Sequence, residues 1–415
     1  MEAKMVIARS GYLQKLIDRK HNGLVKIVTG IRRCGKSCLL FTLFKQHLLS
    51  SGVPEDRIIQ IQLDDRQNKA LRNPDACDEF VRSRIGEGQH YVLLDEVQMM
   101  PEFEDVLNGF LHIENLDTYV TGSNSKFLST DIITEFRGRG DEVRVHPLSF
   151  AEYHAAINEN WDDDWNNYAT YGGLPYVALL KADNDKTAYL QRLFTETYLR
   201  DIIERNKVKN DGELSDLVDI VASAIGSLTN PQKLENTSKT VKRVAISAPT
   251  IKKYLGYLEE AFIITPSKRY DVKGRKHIST PLKYYFEDIG LRNARLNFRQ
   301  QEETHILENI LFNELIVRGF QVDVGIVDIT KGGQRKRVEI DFVANQGSRR
   351  YYLQSAFALP DAEKRAQEER PLLAVGDSFK KIIVVGSNVK LSRDENGVVT
   401  IGLKEFLLNP DSLDL

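Results

Sequence analysis

Cysteine is scarce: there are three in 415 residues, Cys34, Cys38 and Cys77, with no CxxC pair and no metal-ligand spacing. That argues against a disulfide scaffold or a zinc framework and fits a reducing, cytoplasmic location. Long apolar runs are missing too. No segment approaches the roughly 18 apolar residues of a membrane span, and the start, MEAKMVIARSGYLQKL, has no apolar core of signal-peptide length. Secretion and a membrane partner are therefore not expected. The chain also lacks a strong net charge. Its formal value is -2, so any contact with nucleic acid has to come from a local patch. Low-complexity tracts and tandem repeats of fixed period are absent, and 41% hydrophobic with 28% charged residues is the composition of a globular protein.

At roughly 100 to 200 residues per domain, this length holds two to four domains. From residue 24 short β-branched runs alternate with helical text: LVKIVTG, a helix from Lys36 with Leu39, Leu40, Leu43, Phe44 and Leu48 on one side, then RIIQIQLDD, HYVLLDE, DTYVTGSN and EVRVHPLSF. The pattern predicts a parallel sheet covered by helices, an α/β domain over residues 1–155. Helical text with the acidic piece NENWDDDWNNY and the turn YGGLP fills 156–205. Residues 206–290 read as helices, then a strand, the basic turn SKRYDVKGRKH and the strand PLKYYF, which is a winged-helix order. The remainder, 291–415, has the helix ILENILFNELIVRG and the strand-like runs VEIDFVA, RYYLQSAFAL and KKIIVVG, a separate small α/β unit.

The stretch TGIRRCGKSCLLF, residues 29–41, satisfies GxxxxGK[ST] between an apolar strand and a helix. Backbone N–H groups of Gly30, Ile31, Arg32, Arg33, Cys34, Gly35, Lys36, Ser37 and Cys38, with the positive end of the helix, can cradle phosphate oxygens. Lys36 would pair with the outer phosphates and Ser37 would ligate magnesium. YVLLDEVQ then places Asp95 and Glu96 at the end of an apolar strand, where Asp95 can reach the magnesium and Glu96 can orient an attacking water. YVTGSN ends a further strand with Thr121, Ser123 and Asn124, polar groups able to sense a third phosphate. ATP and Mg2+ are the expected cofactors, because no Asn-Lys-x-Asp follows a later strand to select guanine.

GIRRCGKS, YVLLDEVQ, VTGSNSKFL, EFRGRGDEVRVHPLSFAEY, YGGLP, KYYFEDIGLRNA and VEIDFVA together run nearly the length of the chain. On these the chain resembles the bacterial and archaeal family of AAA-type P-loop ATPases that carry a C-terminal region of unclear function. The resemblance implies an α/β fold: a P-loop ATPase parallel sheet with a helical lid, followed by a winged helix and a small α/β domain similar to restriction-type nucleases. By motif position Arg137 or Arg139 resembles an arginine that completes a site, across a subunit contact in a homo-oligomer or within one chain; a pair of solvated arginines is the plain alternative. Gly172, Gly173 and Pro175 resemble the turn that closes the lid near the nucleotide, and as helix punctuation they need no ligand.

In the winged-helix segment Lys252 and Lys253 lie on the last helix, and Lys268, Arg269, Lys273, Arg275 and Lys276 face a single Asp271. Such a cluster suits phosphate contacts to duplex DNA, and equally a solvated turn or docking of a protein client. The nuclease fold that the C-terminal unit resembles uses a helix Glu, a strand Asp and Glu-x-Lys on the next strand. Glu308 and Asp341 match the first two, but Gln354 and Ala356 stand where the acid and the lysine belong, so the domain is expected to be degenerate. The expected function is an ATP-hydrolysing switch coupling nucleotide state to DNA or protein binding. A nucleotide-binding scaffold with little turnover and an ATP-regulated nuclease are the alternatives.

Overall fold

The apolar runs Val25–Thr29 and His90–Asp95 form strands that are buried on both sides, as the middle of a parallel sheet requires. The computed structural model describes residues 6–122, 138–299, 302–331 and 334–415; Ser123, Asn124 and Arg137 lie outside them. In the N-terminal part the strands are β1 (Val25–Thr29), β2 (Ile58–Gln62), β3 (His90–Asp95), β4 (Leu116–Thr121) and β5 (Gly140–Arg144). They pair in the order β2-β3-β4-β1-β5, every pairing parallel. The expected parallel sheet is therefore present. The one charge inside β1, Lys26, is fully buried and meets the Asp117 carboxylate of β4, with the Leu24 carbonyl at 2.8 Å. Residues 36–50 form one helix with a π-type middle, Leu39–Phe44. Leu39, Leu40, Phe44 and Leu48 are fully buried, each such side chain stabilising by about 1.5–3 kcal/mol.

Two compact units divide the chain: residues 1–147 with 260–262, and residues 148–259 with 263–415. The second holds an eight-stranded sheet in the order β12-β13-β11-β10-β9-β8-β6-β7. Its strands are β6 (Ile264–Asp271), β7 (Lys276–Phe286), β8 (Gln321–Lys331), β9 (Gln334–Gln346), β10 (Arg349–Ala356), β11 (Lys380–Val385), β12 (Ser392–Arg393) and β13 (Val398–Gly402). Here the structure departs from the sequence reading. The hairpin β6–β7 is no separate wing, because β6 pairs in parallel with β8 (Arg269 opposite Val324, Asp271 opposite Ile326), so one sheet crosses residue 290. The basic stretch is mostly strand rather than turn: Lys268 and Arg269 lie in β6 and Lys276 in β7, leaving only residues 272–275 between them. The strands β8 and β13 and the helix Ala362–Leu373 were not anticipated, and β8 is the link between hairpin and C-terminal strands.

Two motifs far apart in sequence meet inside this unit. YGGLP packs on the buried helix Ile289–Arg295 through Asp288, whose carboxylate caps that helix by accepting the Leu291 N–H (3.1 Å) and also accepts the Gly173 N–H (2.8 Å). Gly172 has φ +76, and a Cβ there would lie 2.2 Å from the Asp288 Oδ1. Asn293 donates to the carbonyls of Ala169 and Thr170 at 3.0 Å each, and buried Arg292 donates to the Ala222 carbonyl at 2.9 Å.

Burial pushes the Asp288 carboxyl up from 3.8 to about 6, against the backbone N–H groups that favour its charged form. A raised folded-state pKa contributes stability that is present below the unfolded value and lost as pH rises through about 6. Asp288→Asn keeps an oxygen acceptor and removes the titration. In urea unfolding, the parent's stability relative to this variant should fall by on the order of 2 kcal/mol between pH 4.5 and 7.5. A difference that does not change with pH would contradict the assignment.

Candidate functional site

Parallel pairing sends the C-terminal ends of β1, β3 and β4 to one edge of the first sheet, and the chemistry-bearing residues follow those ends. After β1 comes the loop of residues 30–35, turned by Gly30 (φ +136), Arg33 (φ +69) and Gly35 (φ +103). A Cβ on Gly30 would sit 2.1 Å from the Val145 carbonyl oxygen, so no other residue fits there. The side chains of Ile31 and Cys34 are buried, and the Cys34 thiol donates to the Val145 carbonyl at 3.3 Å, so these two offer only their main chain to a ligand. Arg33 and Cys38 are exposed and Arg32 half-buried. Lys36, 4% exposed, folds its ammonium onto the loop carbonyls of Gly30 (2.9 Å) and Ile31 (3.1 Å). No side chain caps the helix start at Gly35, which leaves its first-turn N–H groups available to an anion.

Asp95 ends β3, buried, with its carboxylate accepting the Thr121 hydroxyl from β4 and hydrogen-bonded to the Ser37 hydroxyl. Burial pushes the Asp95 carboxyl upward; the Thr121 and Ser37 hydrogen bonds pull it back, and the charges of Glu96 and Asp64 push it up again. A buried carboxylate beside a serine hydroxyl is a hard oxygen pair, and one carboxylate with phosphate oxygens is the donor set magnesium takes. The residues present fit that ion. Glu96 is left-handed (φ 51, ψ 48), which is strained for a non-glycine residue. Its N–H donates to the Thr121 hydroxyl at 3.1 Å, and its carboxylate accepts the Gln98 side-chain amide. Thr121, read from sequence as a phosphate sensor, is fully buried and engaged with both acids, so it positions Asp95 and Glu96.

Residues 22–154 match the AAA domain family, and residues 162–302 match a second family described as Domain of unknown function (DUF8612). An uncharacterized protein of Haemophilus influenzae is 32% identical over 414 residues, covering 98% of this chain and 100% of that protein. The chain belongs to the same family as the Haemophilus protein. Its N-terminal unit is an AAA domain of the P-loop type. An uncharacterized protein of Methanocaldococcus jannaschii is 27% identical over 412 residues, with 95% of this chain and 87% of that protein covered. Among solved structures, the Aeropyrum pernix Orc1 protein in complex with DNA is similar at a TM-score of 0.30 and 12% identity, over 71% of this chain and 93% of that one. A likeness of that size carries no weight for function.

Within the N-terminal unit one brace was missed in the sequence. Arg9, 4% exposed, donates to the Cys34 carbonyl of the phosphate loop (3.0 Å) and to the His146 carbonyl beyond β5 (2.8 Å), and stacks over Tyr12 at 4.6 Å. An arginine ahead of a first helix carries no local signal for such a role. Arg139 is exposed, and its carbonyl accepts the N–H of Val25, the first residue of β1. Because β5 runs parallel to β1, that end is a full strand, about 17 Å, from the loop. Of the two arrangements left open for Arg139, within one chain or across a subunit contact, this placement weighs against the first.

In the second unit Pro175 is half-buried at the start of the helix Pro175–Ala178, and the YGGLP turn is tied to Asp288 and to Leu148, whose N–H donates to the Gly173 carbonyl at 2.8 Å. Lys252 and Lys253 are exposed on the helix Ala248–Glu260; Lys268, Lys273, Arg275 and Lys276 are exposed on the hairpin, and Arg269 is half-buried. The structure adds Arg335 and Arg337 of β9, 78% and 68% exposed and paired with Asp328 of β8; the run QRKR was their signal.

Glu308 and Asp341 do come together, but around a lysine. Lys283 of β7 places its ammonium 2.8 Å from Glu308, 2.6 Å from Glu339 and 3.9 Å from Asp341, while Tyr285 donates to Glu308 at 2.7 Å. Burial alone would push the Lys283 ammonium down; the charges of Glu308, Asp341 and Glu339 more than offset it and hold it charged. Gln354 is spent on neighbours, accepting the Asp341 N–H at 3.0 Å and donating to Glu368 at 3.1 Å, and Ala356 is buried. Among the described residues no group of three or more His, Cys, Asp or Glu is placed to hold a metal ion. Lys283→Met should destabilise the protein by about 3–5 kcal/mol, because the largely buried carboxylates of Glu308 and Asp341 would be left without a counterion. A urea midpoint equal to the parent's would show that this cluster does not hold the hairpin to the sheet.

Proposed function

We propose that the AAA domain binds and hydrolyses ATP, and that the protein is a cytoplasmic nucleotide-driven switch. One observation carries the reading: Lys36 and Ser37 after β1, Asp95 and Glu96 after β3, and Thr121 at the end of β4 converge at one sheet edge, with Glu96 held in a strained conformation. Loop N–H groups and the Lys36 ammonium take the outer phosphates, the latter exchanging loop carbonyls for phosphate oxygens. Ser37 and Asp95 hold magnesium, which when bound neutralises phosphate charge. Glu96, steadied by Gln98, orients a water and accepts its proton as the water oxygen attacks the terminal phosphorus and the bond to the ADP oxygen breaks.

Arg139, exposed at the far end of the sheet, suits the site of a second copy, which supports a homo-oligomer with an arginine supplied in trans. The exposed Lys252, Lys253, Lys268, Lys273, Arg275 and Lys276, with Arg269 beside them, support duplex DNA as the partner moved by the switch. The nuclease alternative has the Lys283 ammonium, in place of a metal ion, against it.

Glu96→Gln keeps the shape and loses the base. ATP binding should stay near the parent value while turnover falls about 100-fold or more. Parent-level phosphate release from this variant would remove Glu96 from the mechanism.

A further inference from the structure

A cleft of about 540 Å³ opens on the second unit's sheet beside the β6–β7 turn. Its volume lies in the range of about 300–1,000 Å³ that suits a small ligand or one segment of a larger one. Tyr270, Val272, Lys273 and Arg275 form one wall, the β9–β10 turn from Asn345 to Arg350 another, and residues 375–379 the third. Four cations line it, Lys273, Arg275, Arg349 and Arg350, against one acid, Asp377. That acid is turned into the protein: it accepts the Tyr352 hydroxyl at 2.6 Å and the Phe379 N–H at 3.2 Å. Among the described residues Lys273 and Arg275 make no ion pair, and Arg349 reaches Asp414 only at 3.5 Å with both partners about half exposed.

The wall is also aromatic. The Arg350 guanidinium lies over the Tyr270 ring at 5.1 Å and the Phe379 ring at 5.5 Å, and its Nε donates to the Asn345 side chain at 2.7 Å, so it is fixed in place. Phe379 is 40% exposed at the rim, a large ring left partly in water. We propose that this cleft binds single-stranded nucleic acid, its phosphates on Lys273, Arg275 and Arg349 and an unpaired base on the exposed face of Phe379. A phosphate-bearing chain satisfies the cations, and only an unpaired base presents a free π-face to the ring. A duplex keeps its bases stacked and is too wide for a pocket of this volume. The site shares Lys273 and Arg275 with the duplex contact proposed above and is otherwise independent of it.

The test titrates fluorescent oligothymidylate and oligouridylate, each about 15 nucleotides long, and a labelled duplex against the full-length protein at several salt concentrations. Both single strands should bind, with a preference for one assigning DNA or RNA. Phe379→Ala should weaken single-strand binding about tenfold and leave duplex affinity unchanged. The double variant Arg275→Ala, Arg349→Ala should lower the single-strand salt slope by about 1.4, at roughly 0.7 per phosphate contact. Arg275 and Arg349 are exposed, so the thermal midpoint of the double variant should match the parent's. Duplex binding without single-strand binding would overturn this inference and leave the duplex reading standing; no binding of either would sink both. Single-strand affinity unmoved by Phe379→Ala, or displacement by AMP as effective as by oligonucleotide, would also overturn it.

Discussion

Parallel pairing of β1 with β4 and of β4 with β3 is the constraint on which the site depends. Register sets Val28 beside Thr121 and Leu94 beside Val120, so the three strands finish level and their trailing residues share one edge. Asp95 then meets the hydroxyls of both Thr121 and Ser37, one from the end of β4 and the other from the helix that follows β1, segments far apart in sequence. The same parallelism puts the start of β5, and Arg139 with it, at the opposite edge. One topological fact thus assembles the phosphate site and sets Arg139 a strand's length away from it.

Ionic groups buried in the second unit do the corresponding work there. Asp288 holds a turn and a helix start together through backbone N–H groups, and Lys283 holds three acidic side chains of the helix Glu303–Val317 and β9 to the hairpin. Such pairs add little net stability over an apolar core but are costly to break, so they specify one packing. Glu308 and Asp341 come together, and their charge is met by an ammonium supplied from within the chain. The hairpin that supplies it is joined to β8 and cannot be treated as an independent wing.

What could be read in the sequence was local. GIRRCGKS, YVLLDEVQ and the alternation of strand and helix text each lie within a few residues, and they gave the loop, the paired acids and the parallel sheet. The contacts that escaped act across long separations: Arg9 reaches Cys34 and His146, Thr121, read only as a phosphate sensor, reaches Asp95, Lys283 reaches Glu339, and Asp288 reaches Gly173. Nothing in the neighbourhood of any of them marks its partner. The hairpin was recognised and misjudged for the same reason, since its parallel pairing with β8 joins segments about fifty residues apart.

The central claim is that the edge formed by Lys36, Ser37 and Asp95 is a magnesium–nucleotide site. Its most direct test is calorimetric titration of ATP into the purified protein with and without magnesium, beside Lys36→Ala. The account predicts one site per chain, tighter with magnesium, and weakened about 100-fold or more in the variant, since the charge-assisted phosphate contact is lost. Equal affinity for ATP in parent and variant, or no heat of binding in the parent, would contradict it.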